Sequence, residues 1–114
     1  MGVETEAGWI RCRYFGFWDV PRALLLSHEG RLFLLDSPFE EERDDYRPAY
    51  HVWELADVPL ELAESLSWAE LEARRVRQRP DLPVAALKFD TNRERQDGRF
   101  YARLRFTRPG EPFP

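Results

Sequence analysis

The sequence predicts an α+β domain: a curved, mostly antiparallel sheet of five or six strands, or a small barrel, with one main helix over about 68–78 packed on it. Three observations carry this expectation. Apolar residues recur with a period of two along most of the chain. A single segment, Ser67-Trp-Ala-Glu70, has the spacing of a helix capping box. Glycine sits between apolar runs at His28-Glu29-Gly30 and at Asp97-Gly98, where tight hairpins need a left-handed residue.

The elements follow in chain order. Trp9–Phe17 alternates as a strand, with Arg11 and Arg13 on one face and Ile10, Cys12 and Tyr14 on the other. Arg22–Ser27 and Arg31–Asp36 are nearly continuous apolar runs, which suits central strands covered on both faces. Ala49–Leu55 reads as a fourth strand, and a short helical turn is expected after Pro59. In the capping box the Ser67 hydroxyl accepts the Glu70 amide while the Glu70 carboxylate reaches back to Ser67, and Leu66 and Leu71 staple the turn. The helix is expected to continue to Gln78, burying Leu66, Trp68, Leu71 and Val76, and to stop before Pro80. Val84–Phe89 and Arg99–Thr107 form the last hairpin, with Phe100, Leu104 and Phe106 toward the core.

A chain of 114 residues with 16 aromatic side chains fits a single domain over 1–114 with a genuine core, leaving 1–8 and 108–114 as tails. Asp-Val-Pro at 19–21 and 57–59 and Asp-Leu-Pro at 81–83 are unevenly spaced, so they punctuate elements rather than mark a repeat. The single cysteine excludes an intrachain disulfide and any zinc site built on paired cysteines. The acidic start, MGVETEAGW, lacks the apolar run of a signal peptide, and no stretch approaches the roughly 20 apolar residues of a membrane span. Cytoplasmic residence without membrane contact is the expectation. The glycines are isolated, which argues against a phosphate-cradling loop; no cofactor and no metal are expected.

Charge is the feature that speaks to function. Met1 to Glu72 carries 6 Arg against 16 acids, and Ala73 to Pro114 carries 11 basic residues against 5 acids. The overall −4 thus hides a bipolar molecule, whose blocks need either each other or an outside partner. An interaction protein fits this better than a catalyst. Three readings follow, from three classes of protein.

The first is a small protein-binding module, an adaptor or a protein of the inhibitor and immunity kind. Its acidic loop, with Glu41, Glu42, Asp44 and Asp45 flanked by Phe39 and Tyr46, would dock a basic partner protein. The competing reading of that loop is a solvated connection; its contiguous acids and lack of glycine do not suit a calcium loop. The second is a nucleic-acid-binding module. Strand alternation puts Arg99, Tyr101, Arg103 and Arg105 on one face, joined by Arg11 and Arg13 if the strands are neighbours. A solvated face covered by arginine stems is the bland alternative. The third is a small hydrolase-like enzyme centred on His51 with Asp44 or Asp45. Cys12 is expected in the core, not as a nucleophile. A homodimer through the opposite charge blocks is a further option for the partner.

Overall fold

The computed structural model describes residues 8–107 and 112–113. Seven strands form the main sheet in the order β7-β6-β3-β2-β1-β9-β8, and every pair is antiparallel. They are β1 (Ile10–Trp18), β2 (Val20–His28), β3 (Arg31–Asp36), β6 (Ala49–Leu55), β7 (Arg75–Pro83), β8 (Leu87–Gln96) and β9 (Arg99–Phe106). A separate two-stranded ribbon pairs β4 (Phe39–Glu40) with β5 (Asp45–Tyr46). Two short helices, α1 (Leu60–Ser65) and α2 (Trp68–Glu72), cover one face.

Turn chemistry sets the hairpins. Glu29 and Gly30 (φ 51° and 77°) and Asp97 and Gly98 (φ 53° and 77°) are both left-handed, as the two-residue turns between twisted strands require. The apolar runs of β2 and β3 do lie in the middle of the sheet, buried from both sides. Leu24, Leu26, Phe33 and Leu35 meet Ile10, Cys12, Tyr50 and Leu104 in the inner core. Leu25, Leu32 and Leu34 meet Leu55, Ala63, Leu66 and Leu71 beneath the helices.

The sheet is larger than five or six strands, and it does not close into a barrel. β7 and β8 are its two edges. Yet only a 3-10 turn, Val84–Ala86, joins them. Each end of the turn is bonded to the neighbour of its own strand: the Val84 amide donates to the Pro48 carbonyl before β6 at 3.0 Å, and the Thr107 amide after β9 to the Ala86 carbonyl at 2.9 Å. The sheet therefore curls round the inner core and meets itself at one corner, without a ladder between its edges. The predicted strand from Val84 accordingly starts at Leu87.

The capping box is present in full, with Glu70 N–H to Ser67 Oγ at 3.2 Å and Ser67 N–H to Glu70 Oε1 at 2.9 Å. The helix, however, ends at Glu72, and Arg75–Pro83 forms an edge strand instead of continuing to Gln78. Beyond Leu71 the expected apolar stripe has only Val76 to offer, and Val76 is 64% exposed. Pairing with β6 offers more. Arg79 reaches Glu54 at 3.2 Å, and the Arg75 guanidinium lies 4.5 Å from the Trp53 ring centroid. Pro80 is tolerated because an edge strand has amides with no ladder partner. At the C-terminal end, Phe113 stacks on Phe33 at 4.2 Å and is only 2% exposed, so the predicted tail contains a core residue. The rest of that tail (108–111 and 114) and residues 1–7 lie outside the described residues.

Candidate interaction surfaces

The acidic loop is a built ribbon. Its base is clamped at Ser37, which is fully buried. The Ser37 hydroxyl donates to the Arg47 carbonyl at 2.6 Å and accepts from Arg22 at 3.2 Å. The Arg47 amide donates to the Pro38 carbonyl at 2.9 Å, and the Arg47 guanidinium bonds Asp81 at 2.6 Å. Phe39 pairs with Tyr46 across the ribbon, their rings 5.2 Å apart edge to face, and Arg22 lies 4.6 Å from the Tyr46 ring centroid. The turn closes through Arg43 N–H to Glu40 O at 3.2 Å and Asp44 N–H to Glu41 O at 3.1 Å, with Asp44 left-handed at φ 52°. Arg43 pairs with Glu40 at 3.4 Å. Among the described residues the side chains of Glu41, Glu42 and Asp44 have no counter-charge, and Asp45 bonds only the Tyr46 amide. Phe39 is 48% exposed beside them. All six residues expected in this loop therefore share one hairpin, with Tyr46 packed at its base.

The arginine face is different. β1 and β9 are neighbours, and the register sets Arg11 opposite Arg103 and Arg13 opposite Tyr101. Such like-charged pairs need compensation, and β8 supplies most of it. Arg11 bonds Glu94 and Gln96, each at 2.9 Å, and its guanidinium covers the Tyr101 ring at 3.7 Å. Arg103 bonds Asp90, whose carboxyl is held below the usual carboxylate range by the Asn92 amide and by Arg103. Arg13 donates to the Glu64 and Leu66 carbonyls, both at 2.7 Å, pinning the C-terminal end of α1 to the sheet. Its partial burial and the nearby Arg99 lower its pKa from the ordinary arginine value. Arg105 lies 4.9 Å from the Trp9 ring centroid. Tyr101 is buried beneath Arg11, so it offers no ring face to a ligand.

Cys12 lies in the inner core, and burial pushes its thiol up to about 12, which keeps it protonated. His51 faces Asp81, Nδ1 to Oδ1 at 3.7 Å, rather than Asp44 or Asp45 on the ribbon turn. Arg47 holds the Asp81 carboxyl below its ordinary value, while burial raises that of Asp36, the residue opposite His51 in the register. The pairing of His51 with Asp44 or Asp45 considered for a hydrolase-like site is therefore not formed.

One surface escaped the sequence. In β8, alternation sends Glu94 and Gln96 outward to Arg11, and leaves Arg93 and Arg95 on the other side. There Arg93 lies 4.0 Å from the Phe17 ring centroid and Arg95 5.4 Å from that of Phe100. Tyr14 stands between these rings, 5.6 Å from Phe17 and 5.7 Å from Phe100. Phe100 is 43% exposed, so it lies beyond the core layer in which it was expected. Register shifts at Gly16 in β1 break the strict alternation, allowing Phe17 to share the Tyr14 side. Trp18, next along, is 61% exposed. The alternation in Arg93-Glu-Arg-Gln96 was the available signal; the bulge carried none.

Among the described residues no helix is long and apolar enough to cross a membrane. Comparison with family models, curated proteins and solved structures finds no match to this chain.

Proposed function

We propose that this protein is a small binding module whose acidic ribbon docks a basic protein partner. The observation that carries the reading is the contrast in compensation. The arginines of β1 and β9 are largely spent on the protein's own groups, whereas among the described residues Glu41, Glu42 and Asp44 form no ion pair. Carboxylates held at a clamped hairpin tip repel one another, and a basic surface relieves that repulsion. The hairpin is already ordered by backbone bonds, so docking loses little conformational entropy. Phe39 supplies an apolar anchor among the charges. Proteins that inhibit nucleases by imitating phosphate charge use the same physics, and the likeness is one of surface charge alone. Cytoplasmic residence belongs to this proposal, the single cysteine fitting the low disulfide use of reducing compartments.

The test is affinity capture from the host lysate with the wild-type chain and a Glu41→Gln, Glu42→Gln, Asp44→Asn, Asp45→Asn variant. Captured proteins are identified and their association rates measured against salt. A basic protein lost by the ribbon variant, kept by an Arg103→Gln, Arg105→Gln variant and slowed by salt is the expected result. Retention by the ribbon variant refutes the proposal.

A further inference from the structure

We propose that the ledge formed by Phe17 and Phe100 with Arg93 and Arg95 binds single-stranded nucleic acid, its bases stacking on the paired ring and guanidinium planes and its phosphates meeting the guanidinium edges. The site is distinct from both the acidic ribbon and the β1–β9 arginine face. Phe17 and Phe100 are 38% and 43% exposed, and each lies against an arginine of the edge strand β8. Exposed apolar clusters of this kind mark surfaces that receive a partner.

The chemistry of that partner follows from the arginines. Arg93 and Arg95 contact ring faces, and among the described residues neither has a carboxylate partner. A guanidinium stacked on a ring keeps the N–H groups at its edge free, in the fork that matches phosphate. The acid between them, Glu94, is committed to Arg11 on the opposite face, so it does not cancel their charge locally. An acidic peptide would use the charges and leave the rings exposed. Nucleotides use both, since every base has a face to stack and every link a phosphate. Single strands fit better than duplexes, whose bases present no free faces. The Tyr14 ring, packed between Phe17 and Phe100, holds this platform in place from the core side.

The experiment measures anisotropy of labelled oligo(dT) and oligo(U) 12-mers, with a 12-base-pair duplex and a glutamate-rich peptide as comparators. The proteins are wild type, Phe17→Ala/Phe100→Ala, Arg93→Gln/Arg95→Gln, and Arg103→Gln/Arg105→Gln, each checked by circular dichroism. Wild type is expected to prefer the single strands. Both ledge variants should weaken binding at least tenfold, while the Arg103/Arg105 variant should change it less than twofold. Losing two phosphate contacts should also make the salt dependence of log K shallower by about 1.4. The exposed Arg93 and Arg95 keep the test decisive even if the aromatic variant misfolds. No saturable binding, equal binding by the arginine ledge variant, or preference for the acidic peptide would each overturn the proposal.

Discussion

The acidic ribbon and the arginine face of β1 and β9 are both blocks of one sign in the sequence, and the fold treats them oppositely. Arg11 and Arg103 face each other across neighbouring strands, but Glu94, 83 residues from Arg11, and Asp90 come in from β8 to neutralise them. The ribbon has only two strands, and among the described residues no third strand brings an ion-pair partner to Glu41, Glu42 or Asp44. Charge density along the chain is therefore a poor guide to which charges are free. Long-range pairing decides, and it leaves the ribbon carboxylates available while Arg11, Arg13 and Arg103 of the face are occupied.

The largest effect is expected where an arginine of the face has become a structural part. Arg13→Met strips two charged hydrogen bonds from the end of α1 and should cost about 2–3 kcal/mol in a urea titration. A loss below about 0.5 kcal/mol would mean that Arg13 is a surface cation after all, the range typical of surface substitutions. Ser67→Ala, which unmakes the cap of α2 over the outer cluster, should cost about 1 kcal/mol. An unchanged midpoint would show that packing of Leu66 and Leu71 alone positions the helix.

Acid should separate the regions further. Asp81 and Asp90 have carboxyls below their ordinary value, held by Arg47 and by Asn92 and Arg103. A depressed folded pKa gives stability that is complete above the unfolded value of about 3.9 and is lost as pH falls through the folded one. Asp90→Asn and Asp81→Asn should therefore flatten the acid limb of the stability curve between about pH 5 and pH 2. Asp36 has the opposite sign: its carboxyl is raised by burial, so Asp36→Asn should raise stability at neutral pH. A steeper acid limb, or a less stable Asp36 variant, would contradict these assignments.

Much of the fold was legible because its signals are local. Alternation marked β1, glycine turns marked the two hairpins, continuous apolar runs marked β2 and β3 as central, and Ser67 to Glu70 marked the start of α2. β7 was not legible. Arg-Val-Arg-Gln-Arg has no apolar alternation, and its strand exists because Glu54 and Trp53 on β6 receive Arg79 and Arg75. The barrel failed for a similar reason, since ladder pairing between two edge strands leaves no mark in either. At the surfaces, the ribbon residues could be named from the sequence because they are contiguous. The partners of the arginine face could not, and neither could the ledge, which depends on the β1 bulge at Gly16.

Which block is compensated internally can be measured directly by neutralising acids in each region and comparing urea midpoints at 50 and 500 mM salt. Glu41→Gln, Glu42→Gln, Asp44→Asn in the ribbon should leave the midpoint unchanged or raise it at low salt, because those carboxylates only repel one another. Asp90→Asn, Glu94→Gln should lower it at low salt, because Arg11 and Arg103 are then left facing each other unpaired. The opposite pattern, a destabilised ribbon variant beside an unaffected β8 variant, would mean that the acidic block is the one held by the protein's own cations.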